Sequence, residues 1–152
     1  PGNPLKDTAG LKPLAERIEK ARRLADHPRI RVTAVEADVG TSRTRDTLRY
    51  LKRRCPVARF VWLMGADNML QFPKWRNWRE IAETVPIAVY PRPGYTLKAR
   101  LSPAATALRE ATLDASDAAL LPHLVPPALA FLTGPESTYS ATEIRAQAKH
   151  PA

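Results

Sequence analysis

The residues best suited to bind a ligand follow a nearly continuous apolar run at residues 59–64. Gly65 has no side chain, so a ligand can approach its backbone closely. Asp67 has two equally supported interpretations: its carboxylate accepts hydrogen bonds from the hydroxyls of a sugar, or it caps the short helix that follows. A glycine and a carboxylate directly after an apolar strand therefore define the first candidate binding site.

An aromatic side chain and a cation follow the next elements. Trp75 and Trp78 are three residues apart, which places them on one face of a predicted helix. Tryptophans at that spacing are more often core residues, but Trp75 lies closer to the preceding loop and is the better candidate to stack on a flat ring. Arg92 stands before Pro93-Gly94, a turn that can hold a guanidinium rigidly against a phosphate or a carboxylate. Such turns are also ordinary surface features.

Two segments combine helix-starting residues with hydroxyl groups. At residues 42–47, the free amides of the predicted helix start could hold a carboxylate. At residues 140–145, the hydroxyls of Ser140 and Thr142, the free amides and the side chain of Arg145 form a candidate phosphate site. A plain capping box with a solvated arginine is the more common explanation of the second pattern.

The positions of these residues depend on an alternation of predicted helices and strands. Helical spacing and capping residues predict helices over residues 12–26, 42–55, 74–84 and 103–115, a short turn or helix over 67–72 and a last helix from Ser140. An alternation of apolar and other residues predicts a strand over residues 30–34, and apolar runs predict strands over 59–64, 86–90 and 128–133. The alternation is typical of an α/β fold with a parallel sheet, whose ligands bind at the carboxyl ends of the strands. This rule selects the loops after Val35, Met64, Tyr90 and Thr133.

Composition and charge limit the class of protein. The chain has 152 residues, which suits one domain over residues 1–152, and its 44% hydrophobic content is typical of a soluble globular protein. Lys and Arg number 24 against 15 Asp and Glu, a net charge of +9 that favours anionic partners. The longest apolar runs are far too short to span a membrane. Cys55 is the single cysteine, which excludes an internal disulfide and a cysteine zinc site and suits a reducing cytoplasm.

Five motifs, in this order, resemble those of the bacterial nicotinate mononucleotide adenylyltransferases, a family of nucleotidyltransferases with a His-x-Gly-His motif. They are N-P-L-K from Asn3, S-R-T-R-D-T-L from Ser42, F-V-W-L-M-G-A-D-N from Phe60 with F-P-K-W from Phe72, R-P-G from Arg92 and S-A-T-E-I-R from Ser140. Arg43 stands where a tyrosine is usual in that family. The resemblance covers nearly the whole chain and implies a Rossmann-like, three-layer α/β/α fold with a mostly parallel sheet.

The resemblance also implies a reaction. In it, the 5′-phosphate of nicotinate mononucleotide attacks the α-phosphorus of ATP, pyrophosphate leaves and deamido-NAD forms, in the biosynthesis of NAD and usually with Mg²⁺ bound to the ATP. Catalysis would come from alignment and charge neutralisation without a covalent enzyme intermediate. The implied partners are ATP and nicotinate mononucleotide in the cytoplasm, with no membrane and no specific nucleic acid, and the oligomeric state stays open.

Residue roles follow from the same resemblance. Trp75 would stack on the pyridine ring, and the backbone near Thr44 would bind the nicotinate carboxylate. Asp67, two residues after Gly65, would contact the sugar hydroxyls. Basic and hydroxyl side chains would bind the phosphates: Lys6 and Arg92 as general neutralising charges, and Ser140, Thr142 and Arg145 for those of ATP. No residue is assigned as a ligand of a protein-bound metal.

One departure from the family is large. The family's first strand and its following loop, G-G-[ST]-F-[DN]-P-x-H-x-G-H, are absent from this sequence, and the two histidines of that loop stabilise the transferring phosphate. His27, His123 and His150 have no such setting, so no catalytic residue is assigned. Together with Pro1 in place of a starting Met, this absence predicts a domain that is incomplete at its N-terminus, inactive alone and weakened by the loss of a central strand.

Three alternatives stay open. An adenylyltransferase for nicotinamide mononucleotide or pantetheine phosphate would share most motifs, although Thr44 and Trp75 favour a flat anionic ring. A basic nucleic-acid-binding domain would explain the net charge and Lys52-Arg53-Arg54. Against that domain, the basic residues are scattered over several helix faces and no nucleic-acid-binding motif is present. The third alternative is a fragment with no activity of its own.

Overall fold

The computed structural model describes residues 12–136. The chain divides into two compact units, Pro1–Pro56 and Val57–Ala152. Lys6, the candidate phosphate site at Ser140, Thr142 and Arg145, and the predicted last helix lie outside the described residues.

The first unit is helical over its described residues. It contains α1 (Leu14–Leu24), α2 (Val35–Val39) and α3 (Thr44–Arg54). Helix α2 ends at Gly40, whose φ of 68° is a left-handed conformation that glycine adopts without a steric penalty. Basic residues fill the last turn of α3, where positive charge is favourable beside the carbonyl end of a helix. The helices predicted over residues 12–26 and 42–55 are therefore confirmed.

The strand predicted over residues 30–34 is wrong. Ile30 N donates to His27 O at 2.9 Å and closes a turn, so this amide is used locally rather than in a sheet. Ala34 O accepts from the amides of Ala37 and Asp38 as α2 begins. Ile30 is 56% exposed, so its place in an alternating pattern does not correspond to a buried sheet face. The loop after Val35 is consequently not a strand end, because Val35 begins a helix.

Within its described residues, the second unit contains a four-stranded sheet in which every pairing is parallel. Its strands are β1 (Trp62–Gly65), β2 (Ile87–Tyr90), β3 (Thr112–Leu113) and β4 (Leu129–Phe131), in the order β1-β2-β4-β3. Gly65 is paired with Tyr90, and Val89 with Phe131, so β1, β2 and β4 end at the same edge. The α/β class and the parallel, Rossmann-like sheet predicted from the sequence are confirmed.

Short helices cover this sheet. They are α4 (Ala66–Gln71), α5 (Trp78–Thr84), α6 (Thr96–Arg100) and α7 (Pro103–Ala107), with 3₁₀ segments at Phe72–Lys74, Arg109–Ala111 and Ala115–His123. All residues of β4 are buried, as are the first three of β2, which is the pattern of parallel strands covered on both faces. Phe72 is completely buried and contacts the rings of Trp75 and Trp78 edge-on.

Two predicted helices have different bounds in the structure. The helix expected over residues 74–84 begins only at Trp78, because Asn77 has a φ of 60° and interrupts the helical backbone. Trp75 and Trp78 therefore do not share a helix face. Ser102 caps α7 as expected, its hydroxyl accepting from Ala105 N at 3.2 Å.

That helix does not continue to residue 115. At the end of α7, Leu108 O accepts the side-chain hydroxyl of Thr112 at 2.9 Å. A continuing α-helix would direct the Thr112 amide to the same carbonyl. Instead Thr112 enters β3, so the chain forms a strand where a helix was predicted.

Candidate functional site

An ion pair joins the ends of the two adjacent strands β1 and β2. Arg92 Nε lies 3.1 Å from Asp67 Oδ1, with the two side chains 42% and 27% exposed. Asp67 Oδ1 is buried and accepts no hydrogen bond with correct angles within residues 12–136, so its contact with Arg92 is electrostatic rather than a directed hydrogen bond. The structure thus brings together two of the residues that the sequence selected at separate strand ends.

Gly65 makes room for this ion pair. A Cβ atom at Gly65 would lie 2.5 Å from Asp67 Oδ1 and 2.8 Å from Arg92 Nε, distances that real Cβ atoms do not tolerate. The φ of Gly65 is −77°, a value open to any residue, so the need for glycine here is one of space. Gly65, Asp67 and Arg92 therefore form one cluster, which we call the strand-end cluster.

Asp67 does not act as a helix cap. The N-cap of α4 is Gly65, and Asp67 lies inside the first turn of that helix. A negative charge in the first turn is stabilised by the helix dipole, and here it also faces the guanidinium of Arg92. Of the two interpretations drawn from the sequence, the cap is excluded, and the carboxylate lies at a strand end beside Arg92.

The backbone of Arg92 is fixed by one side chain. Thr96 Oγ1 accepts from Arg92 N at 3.1 Å and lies 3.1 Å from Arg92 O. The amides of Tyr95 and Thr96 donate to the same carbonyl, and Gly94, with a φ of 74°, allows the turn to close. The turn thus anchors the base of the Arg92 side chain while leaving its guanidinium partly exposed. The role of Thr96 was missed from the sequence, because a threonine four residues after an arginine carries no recognisable signal.

Trp75 lies between the 3₁₀ segment and α5 and is half-buried. Its ring centroid is 5.6 Å from that of Phe72, with 79° between the planes, and its amide donates to Phe72 O at 2.9 Å. The indole Nε1 is buried and has no hydrogen-bond partner within residues 12–136. No hydrogen bond or ion pair links Trp75 to the strand-end cluster within the described part of the chain. Trp75 is therefore held in place by Phe72 and not by the cluster.

Thr44 is the first residue of α3, in the first unit. The N-cap residue, Arg43, makes no side-chain capping bond, and its amide donates to Thr41 Oγ1 at 3.1 Å. Asp46, in the first turn, accepts from Arg45 Nε at 2.9 Å. The predicted helix start is therefore present at Thr44, with a carboxylate already in its first turn.

The two histidines within residues 12–136 each contact another residue of the protein through Nδ1. His27 Nδ1 accepts from the Arg29 amide at 3.2 Å within a turn, and His123 Nδ1 contacts Arg59 Nη1. Neither one lies in a glycine-rich loop at a strand end.

In the part of the chain that the structure describes, no group of three or more His, Cys, Asp or Glu side chains could hold a metal ion. Residues 12–136 also contain no helix long and apolar enough to cross a membrane.

A parallel α/β sheet with candidate binding residues at the carboxyl ends of two adjacent strands is the arrangement in which open α/β folds bind their ligands. The sequence model of the cytidylyltransferase-like family matches residues 1–147, and the chain belongs to this family.

Several curated proteins from bacteria are similar to the chain over nearly its whole length, and each is named a probable nicotinate-nucleotide adenylyltransferase. The protein of Parvibaculum lavamentivorans is 63% identical over 145 residues, which are 95% of this chain and 72% of that protein. The protein of Cereibacter sphaeroides is 51% identical over 96% of this chain and 77% of its own length. The protein of Methylorubrum extorquens is 50% identical over 95% of this chain and 78% of its own length. These matches confirm the resemblance found from the motifs.

Proposed function

We propose that this protein transfers the adenylyl group of ATP to nicotinate mononucleotide, forming deamido-NAD and pyrophosphate in the biosynthesis of NAD. The observation that carries this proposal is the 63% identity, over 95% of the chain, to a protein named for that activity. The strand-end cluster supports it, because a carboxylate and a guanidinium at adjacent strand ends suit a ligand that has both sugar hydroxyls and phosphates.

In the proposed reaction, an oxygen of the 5′-phosphate of nicotinate mononucleotide forms a bond to the α-phosphorus of ATP. The bond from that phosphorus to the β-phosphate oxygen breaks, and pyrophosphate carries the electron pair away. Negative charge gathers on the oxygens around the α-phosphorus, so fixed positive charges stabilise the transition state. Arg92 supplies one such charge: Asp67 lies beside its Nε, and a guanidinium has four further N–H donors that can bind phosphate oxygens.

The remaining roles are proposed on the resemblance and on position. Asp67, whose side chain is 27% exposed, accepts hydrogen bonds from sugar hydroxyls through its carboxylate. Trp75 stacks on the pyridine ring, supported by the half-buried setting that Phe72 provides. The start of α3 at Thr44 binds the nicotinate carboxylate.

The phosphate-binding residues outside the described range complete the proposal. Lys6 neutralises phosphate charge, and Ser140, Thr142 and Arg145 bind the phosphates of ATP. Mg²⁺ would enter with ATP and would neutralise negative charge on the triphosphate. We place the protein in the cytoplasm.

The 152 residues contain no His-x-Gly-His motif, and the two described histidines are engaged elsewhere. We therefore propose that these residues alone turn over no nicotinate mononucleotide. Tests of activity accordingly use the intact gene product, with the 152-residue chain assayed beside it.

The test measures pyrophosphate release by the intact protein with MgATP and one acceptor at a time: nicotinate mononucleotide, nicotinamide mononucleotide or pantetheine phosphate. The proposal expects the highest kcat/KM with nicotinate mononucleotide. The highest value with pantetheine phosphate, or no release with any acceptor, would overturn it. Binding of a DNA duplex that persists at 200 mM salt would favour the nucleic-acid-binding alternative, since non-specific binding weakens strongly with salt.

A further inference from the structure

The chain that leaves β4 is held against the end of β2. Leu132 N donates to Val89 O at 2.9 Å, which extends the pairing of these strands by one residue. The hydroxyl of Tyr90 then donates to Pro135 O at 3.1 Å. Gly134 passes so close that a Cβ there would lie 3.1 Å from the Tyr90 hydroxyl. The path of residues 132–135 is therefore fixed by the last residue of β2.

The next residue along is linked to the Arg92 turn. Thr96 Oγ1 lies 3.0 Å from Glu136 Oε1, and the same hydroxyl already accepts from Arg92 N. A hydroxyl has one proton, and a carboxylate is a stronger acceptor than the Arg92 carbonyl, which lies 3.1 Å away. Thr96 therefore connects the backbone that carries Arg92 to the chain that leaves β4.

We propose that Tyr90, Thr96 and Glu136 are positioning residues that clamp the exit of β4 to the Arg92 turn and thereby hold Arg92 for the phosphates of ATP. This inference rests on the proposed function. None of the three residues is proposed to contact a substrate. They act through Arg92, whose backbone amide and carbonyl both contact the Thr96 hydroxyl.

The clamp also limits where the following chain can go. Ser140 is the fourth residue after Glu136, and four residues span at most about 14 Å when fully extended. Fixing Glu136 beside the Arg92 turn therefore keeps Ser140 within that distance of it. Arg92 and the phosphate site proposed from Ser140 onwards would then bind the same triphosphate. The clamp should therefore affect the binding of ATP rather than that of the mononucleotide.

The test uses Thr96→Val, Glu136→Ala and the double variant in the intact protein. The clamp predicts that each single variant raises KM for ATP about threefold to tenfold, the range expected for one partly exposed hydrogen bond. The value of KM for nicotinate mononucleotide should stay near wild type, because the clamp acts on Arg92 and not on the mononucleotide site. The double variant should be no worse than Thr96→Val alone, since that change already removes the contact between Thr96 and Glu136. Glu136→Gln keeps an acceptor oxygen and should restore most of the affinity.

Two matched variants separate the clamp from a general loss of hydroxyl groups. Thr106→Val removes a hydroxyl that donates to the carbonyl of Ser102, four residues earlier. The Thr96 hydroxyl has the same relationship to the carbonyl of Arg92, but Thr106 makes no hydrogen bond to Glu136. Tyr90→Phe removes the hydrogen bond to Pro135 and tests the clamp. Its control is Tyr95→Phe, which removes an exposed phenol hydroxyl beside the same turn. Both controls should leave KM for ATP unchanged, whereas Tyr90→Phe should raise it.

Binding of α,β-methylene-ATP by calorimetry gives a second measurement that does not depend on turnover. Three results would overturn the clamp. They are an effect in the double variant equal to the product of the single effects, an unchanged affinity for the ATP analogue in the single variants, and a loss of kcat and of affinity for both substrates together with a lower Tm. If the wild type binds the analogue but makes no deamido-NAD, the proposed function fails and the clamp is judged on binding alone. If the wild type binds no ATP analogue, both fail.

Discussion

Arg92 Nε lies 3.1 Å from Asp67 Oδ1, and each residue stands two positions beyond one member of the Gly65–Tyr90 pair that ends β1 and β2. The register of the parallel sheet therefore sets the ion pair, because it brings two turns of equal length to the same edge. A partly exposed pair such as this one stabilises a fold by at most about 1 kcal/mol. Its removal should accordingly be visible in substrate binding more than in Tm.

Gly65→Ala tests the space that the strand-end cluster requires. The new Cβ would lie 2.5 Å from Asp67 Oδ1, so the carboxylate and Arg92 must move. Displacements of about 1 Å at a reacting centre can cost about 100-fold in rate, and we expect kcat/KM to fall by about that factor. Steady-state kinetics measures the loss.

Gly40→Ala is the matched control for that variant. A Cβ at Gly40 would meet no atom within 4 Å, but the φ of 68° is unfavourable for alanine. It should cost about 1 kcal/mol of stability and leave KM for ATP unchanged. A Gly65→Ala protein with full activity would show that the cluster is not at the reacting centre.

Arg92→Ala tests the proposed charge on the transferring phosphate. Hydrogen bonds to charged groups contribute about 1.5–3 kcal/mol, so kcat/KM should fall about 10- to 100-fold. Arg92→Lys should recover only part of the activity, since an ammonium cannot pair with Asp67 and phosphate through a planar fork. Arg109→Ala removes an exposed guanidinium elsewhere in the unit and should behave as wild type. Equal kinetics for the Arg92 and Arg109 variants would remove Arg92 from the site.

Trp75→Ala tests the proposed stacking on the pyridine ring. Stacking of an aromatic side chain on a base contributes about 1–3 kcal/mol, so KM for nicotinate mononucleotide should rise about 5- to 100-fold while KM for ATP stays constant. Trp78 also packs against Phe72 and is 8% exposed, so Trp78→Phe should lower Tm without that selective effect. A Trp75 variant that changes both KM values equally would argue for a purely structural residue.

Arg145→Ala tests the proposed ATP-phosphate site beyond the described residues. Because its guanidinium is assigned to the triphosphate, the variant should raise KM for ATP strongly, by about tenfold or more. Kinetics with ATP varied at saturating nicotinate mononucleotide measures this. Arg22→Ala, an exposed arginine on α1, is the control of equal charge change. Turnover equal to wild type would end the assignment of Arg145.

The sequence was sufficient to predict the strand ends that carry the cluster. Both strands read as apolar runs, although only Met64 of β1 is buried, and Gly65 and the Arg92 turn follow them with residues that interrupt regular structure. The contact between Asp67 and Arg92 was not predictable, since it depends on the register of β1 against β2 and on the free space at Gly65.

Other failures have local causes. The alternation at residues 30–34 suggested a strand, but a turn at His27 and the start of α2 use the backbone groups that a sheet would need. Asn77 has a left-handed backbone conformation, so Trp75 lies outside the helix that begins at Trp78. The pattern of hydrophobic residues contains no information about the backbone angle of a single residue. Helix α6 was missed because its five residues are shorter than any window in which helical periodicity can be counted.

The most direct test of the central claim is a competition between the acid and the amide. The intact protein is supplied with MgATP and equal concentrations of nicotinate mononucleotide and nicotinamide mononucleotide, and both dinucleotide products are separated by chromatography and quantified over time. We expect deamido-NAD to accumulate in clear excess over NAD, and pyrophosphate to appear in an amount equal to the summed dinucleotides. NAD as the main product, or no dinucleotide at all, would contradict it.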